Sequence, residues 1–127
     1  MMPKKAIKTL DAPGAIGPYS QAVQIGDFIY TSGQIPVNSA TGEIPEGIEN
    51  QTKQSLENIQ AILVESGLTM GNVVKMTVFL KDMNHFNKVN AGYASFFEEP
   101  YPARSAVEVA RLPKDVLIEI EAIASLK

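Results

Sequence analysis

Val116, Ile118, Ile120, Ala122 and Ala124 share one parity near the end of the chain, while Leu117, Glu119 and Glu121 share the other. A period of two makes this run a β-strand with one apolar face and one polar face. Such a strand needs neighbours for its backbone groups and a layer to cover its apolar side. Two segments have the helical period for that layer. Ile48, Leu56, Ile59 and Leu63 fall on one face of a helix from about Ile48 to Ser66, ended by Gly67 as the left-handed residue with Leu68 after it. Phe86, Val89, Tyr93, Phe96 and Phe97 form the apolar stripe of a second helix, predicted to begin near Asn84 and to stop at Pro100.

The remaining strands follow from turn chemistry. Gly26-Asp27 separates Ala22–Ile25 from Phe28–Ser32, the signature of a two-residue hairpin, and Gly33 closes its second strand. Val74, Met76, Val78 and Leu80 alternate with Lys75, Thr77 and Lys81 in a strand predicted to end at Asp82. Ala103–Ala110 is predicted as a strand joined by Arg111-Leu112-Pro113-Lys114-Asp115 to the strand Val116–Ala124. The segments 11–18 and 34–47 are rich in proline and glycine, and the longer one is a candidate site-forming loop. The order predicts a single α+β domain over residues 1–127, a mixed sheet of about six strands with two helices packed on one face. The other face mixes apolar and polar residues, a pattern often closed by a second copy of the same chain.

Composition narrows the function classes. The chain has 127 residues, enough to bury a core without disulfides or a structural metal, and it has no cysteine. Thiolate nucleophiles and Cys-ligated metals are thereby excluded, and a reducing, cytoplasmic setting is expected. No apolar run approaches the about 20 residues of a membrane span, and Met1-Met2-Pro3-Lys4-Lys5 leads into no secretory h-region. With 14 acidic and 11 basic side chains the net charge is −3, which disfavours nucleic-acid binding despite the small cluster Lys4, Lys5, Lys8. One histidine and no cysteine leave no typical zinc site, and His85 reads as a solvated helix end rather than as the base of a Ser-His-Asp triad.

Arg104 is the residue placed for chemistry. Pro100 and Pro102 deliver the chain into its strand in extended geometry, so the guanidinium sits at a strand mouth beside the small Ala106. Arginine suits bidentate carboxylate recognition. If the last two strands pair antiparallel with Val107 and Val109 on the apolar side, Arg104 shares a layer with Glu119 or Glu121. The plain alternative is a cross-strand ion pair on a solvated face, worth under about 1 kcal/mol.

Several segments together resemble the RidA family, also called YjgF/YER057c/UK114, of reactive-intermediate deaminases. They are Gly17-Pro18-Tyr19-Ser20-Gln21-Ala22, Thr31-Ser32-Gly33-Gln34-Ile35-Pro36, Asn87-Lys88-Val89-Asn90, Pro102-Ala103-Arg104-Ser105 through Pro113, and Ile118-Glu119-Ile120-Glu121-Ala122-Ile123-Ala124. The resemblance implies a chorismate-mutase-like fold and a homotrimer with three clefts between adjacent subunits. It also implies cofactor-free hydrolysis of short imines and enamines, 2-iminobutanoate and 2-iminopropanoate, to 2-keto acids and ammonia. By motif, Arg104 would bind the substrate carboxylate and Glu119 would orient or activate water. Tyr19, Ser32, Gly33, Asn90 and the Ala106 carbonyl would line the cleft. Relatives often carry cysteine where Ala106 stands, so a thiol cannot be required here. Two other readings fit the same resemblance: a trimer that binds keto acids without turnover, and, against the net acidity, an RNA-cleaving translation inhibitor.

Overall fold

Hydrogen bonding assembles six strands into one mixed sheet in the computed structural model, which describes residues 3–127, so that Met1 and Met2 of the N-terminal reading lie outside the described residues. The strands are Lys5–Ile7 (β1), Ala22–Ile25 (β2), Phe28–Thr31 (β3), Val73–Leu80 (β4), Ala103–Glu108 (β5) and Ile118–Ser125 (β6). Their spatial order is β1-β2-β3-β6-β4-β5, antiparallel throughout except for the parallel pair β4 and β5. Helices Ile48–Glu65 (α1) and Phe86–Ala94 (α2) pack on one face, as the apolar stripes require. The hairpin pairs Ile25 with Phe28 across Gly26, whose φ of 56° is the left-handed geometry that a tight turn demands.

Core formation explains the topology. Leu56, Ile59, Ile62 and Leu63 of α1 bury against Met76, Val78 and Leu80 of β4 and Ile118, Ile120 and Ala122 of β6, all 3% exposed or less. The two strands with the most regular apolar face therefore occupy the centre of the sheet. Helix α1 ends as Gly67 and Leu68 predict: Leu68 N–H donates to Leu63 O and Gly67 N–H to Val64 O, both at 2.9 Å, with φ of 78° at Gly67. Buried Gln51 joins helix to sheet by accepting from Leu117 N at 2.8 Å and donating to Pro45 O at 3.0 Å.

Three local expectations change. Val74 is exposed, because a register shift between Val73 and Lys75 puts Val73 in the core instead. Helix α2 ends at Ala94, well before Pro100; Ser95 caps it by donating from its N–H and its Oγ to Gly92 O. The last two strands do not pair. β4 lies between them, and β5 runs parallel to β4 as the return stroke of a crossover through α2. Residues in register share a face, so Arg104 opposite Met76 and Ala106 opposite Val78 lie on the helix-covered side, whereas Ser105 and Val107 lie on the open side. The faces assigned to β5 from sequence are therefore inverted.

Candidate active site

As the second residue of the edge strand β5, Arg104 extends beneath α2 and meets Phe86, Asn90 and Tyr93, which occupy positions i, i+4 and i+7 of one helix face. Arg104 Nη1 donates to Asn90 Oδ1 at 2.8 Å. The guanidinium carbon lies 4.8 Å from the Tyr93 ring centroid and 5.2 Å from that of Phe86. Burial pushes the Tyr93 phenol above its ordinary pKa, with the Arg104 charge opposing that shift. Ala106 follows on the same face of β5, packed against the core.

Among the described residues no carboxylate pairs with Arg104; the ion pairs there are Arg111–Asp115 and Lys127–Asp27. The cross-strand pair considered from sequence is thus not formed within the chain. The arginine keeps N–H donors that no acceptor among the described residues takes up. Sequence reasoning assigns Phe86 and Tyr93 to the core stripe. It misses that both rings also face a cation, although an asparagine between two aromatics on one helix face is a legible sign of a cradle.

Glu119 belongs to a second group. It lies on the open face of β6, in register with Phe79, beside the backbone of Gly33 at the exit of β3. A Cβ built on Gly33 would overlap Glu119 Oε2 and stand 2.9 Å from Cδ, so a side chain there would displace this carboxylate from its present position. Desolvation, and then the charge of Glu121, raises the Glu119 pKa above the ordinary carboxylate value. Ser32 Oγ donates to Ser20 O at 2.6 Å and Ser32 N–H to Gln21 O at 2.8 Å, which ties the loop carrying Tyr19 to this end of β3. Gln21 fixes the same loop from within: its Nε2 donates to Thr9, Ala12 and Pro13 carbonyls, and its Oε1 accepts from Thr9 N. Tyr19 itself is exposed.

The predicted site residues therefore fall into two groups within one chain: Arg104, Asn90 and Ala106 between β5 and α2, and Tyr19, Ser32, Gly33 and Glu119 around the β3–β6 junction. Three residues along the strands and two strands across separate Arg104 from Glu119, about 14 Å between Cα atoms, on opposite faces. Two clefts of about 600 and 770 Å³ lie elsewhere; neither is lined by Arg104 or Glu119, though the larger reaches Tyr19 and the loop at Val37–Ser39. That loop is held against α1 by Asn58 Nδ2, which donates to Ile35 O and Val37 O. His85, expected in solvent, has its Nδ1 buried at the start of α2, without a partner among the described residues. Among the described residues no group of three His, Asp or Glu side chains is placed to hold a metal ion, and no helix is long and apolar enough to cross a membrane.

Comparison with known proteins gives consistent results. The family model described as endoribonuclease L-PSP matches residues 9–126. The 2-iminobutanoate/2-iminopropanoate deaminase of Escherichia coli K12 is 59% identical over 123 residues, covering 94% of this chain and 96% of that protein. The crystal structure of E. coli TdcF with bound serine superposes with a TM-score of 0.91 at 56% identity, covering 95% of this chain and 98% of that one. The E. coli YjgF gene product superposes with a TM-score of 0.93 at 58% identity, covering 97% and 99%.

Proposed function

Since the chain belongs to the endoribonuclease L-PSP family, which is also the RidA/YjgF family, we propose that it hydrolyses short reactive imines of 2-keto acids, with Arg104 as carboxylate anchor and Glu119 as the water-orienting base. The observation that carries this reading is the Arg104 fork, held by Asn90 and two rings yet free of any carboxylate among the described residues. The names of close relatives support the enzyme class, and serine bound to TdcF is an amino acid with a carboxylate of the kind Arg104 would take.

The reaction needs little machinery. Water adds to the imine carbon, Glu119 takes the proton released as the C–O bond forms, and the same proton passes to nitrogen. The hydroxyl of the resulting carbinolamine then gives its proton to the nitrogen as the C–N bond breaks, so that ammonia leaves and the keto acid remains. Holding the carboxylate fixes the carbon relative to the water, the main contribution positioning makes to such a step. A carboxylate with a raised pKa is a stronger base than an ordinary glutamate.

Because Arg104 and Glu119 lie on opposite faces of one sheet, a cleft that uses both must draw them from two chains. A homotrimer with clefts between adjacent subunits meets that condition, and the open face offers Ile25, Phe28, Tyr30 and Val107 as exposed apolar surface for a neighbour. The substrate then sits between the edge of one subunit and the open face of the next.

The direct test couples a serine or threonine dehydratase to this protein and follows keto-acid release. Acceleration over buffer is expected, and its absence sinks the assignment. Binding of a keto acid by calorimetry without turnover would instead favour a non-catalytic sensor. Gly33→Ala is expected to push the Glu119 carboxylate aside and lower kcat by about 10-fold or more, since displacements near 1 Å carry costs of that order. Full activity in that variant would detach Glu119 from the chemistry.

The Glu119 shift also fixes two pH signs. Activity is expected to fall on the acid side of a pKa above the ordinary glutamate value, because the protonated acid cannot take a proton from water. In stability the raised pKa means the folded chain binds its proton more tightly than the unfolded chain. That contribution is full below the unfolded pKa and is lost as pH rises through the folded one. Glu119→Gln is therefore expected to be inactive yet at least as stable as the parent at neutral pH, by thermal melting; a clear loss of stability would contradict the assigned environment.

A further inference from the structure

Three residues of α2, none adjacent in sequence, converge on the Arg104 guanidinium, and two of them are aromatic. Phe86 and Tyr93 present ring faces to its carbon at 5.2 and 4.8 Å, and Asn90, between them on the helix, accepts the Nη1 hydrogen at 2.8 Å. We infer that Phe86 and Tyr93 are positioning residues for the anion site, fixing the plane of the Arg104 fork so that its unused N–H edge faces the incoming carboxylate. The inference rests on Arg104 as carboxylate anchor and is independent of whether the bound anion is hydrolysed.

Several observations make this more than ordinary packing. A guanidinium carries five N–H donors, and among the described residues the only protein acceptor that Arg104 meets is Asn90. A long side chain on an edge strand has many rotamers to lose on binding, a loss that preorganisation avoids. Ring faces restrain a planar cation without taking its hydrogen-bond donors, whereas a glutamate in their place would occupy the edge the ligand needs. Among the described residues the buried Tyr93 hydroxyl has no hydrogen-bond partner, so the ring face is what this position supplies to Arg104. Tyr93 also packs against Phe97 in a tilted pair with centroids 4.7 Å apart, which restrains the ring that in turn restrains the arginine.

Calorimetric titration with 2-oxobutanoate, a short 2-keto acid used as a non-reacting probe, tests this on the whole protein. Phe86→Leu and Tyr93→Leu are each expected to weaken binding roughly 3- to 30-fold, the range of one lost cation–π contact. Tyr93→Phe keeps the ring and is expected to retain parent affinity while melting no lower than the parent. A purely structural role would not separate these variants by ring face. Unchanged affinity in both leucine variants overturns the inference, and so does equal loss in Tyr93→Phe and Tyr93→Leu. If Tyr93→Leu does not fold, the partly exposed Phe86 site and the Tyr93→Phe rescue still decide the question. Failure of the parent protein to bind the probe at all would overturn Arg104 as anchor, and this inference with it; binding without imine turnover would overturn only the hydrolytic assignment.

Discussion

Arg104→Ala is expected to lower kcat/KM for a short imino acid by about 10²- to 10⁴-fold, the equivalent of losing two charge-assisted hydrogen bonds in a partly desolvated site. Stability is expected to change little. Arg104 lies on the edge strand, makes one side-chain hydrogen bond to Asn90, and forms no ion pair among the described residues, so its removal strands no buried charge. Arg104→Lys separates charge from shape. An ammonium restores the positive charge but not the planar fork, and it cannot lie flat between Phe86 and Tyr93 while donating to Asn90 and to both carboxylate oxygens. The lysine variant is expected to recover only a small part of the loss. Coupled-assay kinetics and a melting curve on the three proteins check both statements, and parent-like kcat/KM in either variant rejects the anchor.

How much of this was legible in the sequence depended on what kind of information each residue carried. The alternation of Ile118, Ile120 and Ala122 and the i, i+3, i+7 spacing of Leu56, Ile59 and Leu63 identify faces by burial, and burial decided those faces in the fold. The parity of β5 could not be read in that way. Its alternate residues Arg104, Ala106 and Glu108 against Ser105 and Val107 contain no strong apolar set, and an edge strand is not forced to choose a face by its own hydrophobicity. The choice is made by α2, which offers Asn90, Phe86 and Tyr93 to the guanidinium. The short link from Arg111 to Asp115 suggested a hairpin, but the central place beside β6 went to β4, whose Met76, Val78 and Leu80 bury completely. Motif resemblance named Glu119 and Gly33 as site residues; their steric relation, in which the glycine leaves space for the carboxylate, is a tertiary fact with no signature in spacing.

Mixing two inactive variants is expected to restore about a quarter of parental activity, and the reason is the inverted parity of β5. Within one chain Arg104 and Glu119 point to opposite faces, so in a cyclic trimer each cleft would pair the arginine of one subunit with the glutamate of its neighbour. Arg104→Ala subunits still supply a good Glu119, and Glu119→Gln subunits a good Arg104. Random assembly from equal amounts gives mixed trimers about three times in four, and either mixed composition contains one complete cleft among its three. Co-expression of the two variants with different affinity tags, followed by selection for trimers carrying both, raises the expected value to about a third. Neither homotrimer alone is active under this scheme. If one subunit supplied both residues to its cleft, every cleft in every mixture would lack one of them, and the mixed preparation would be as inactive as its parents. A measured recovery near zero, from trimers shown by their tags to be mixed, would therefore overturn the two-chain cleft.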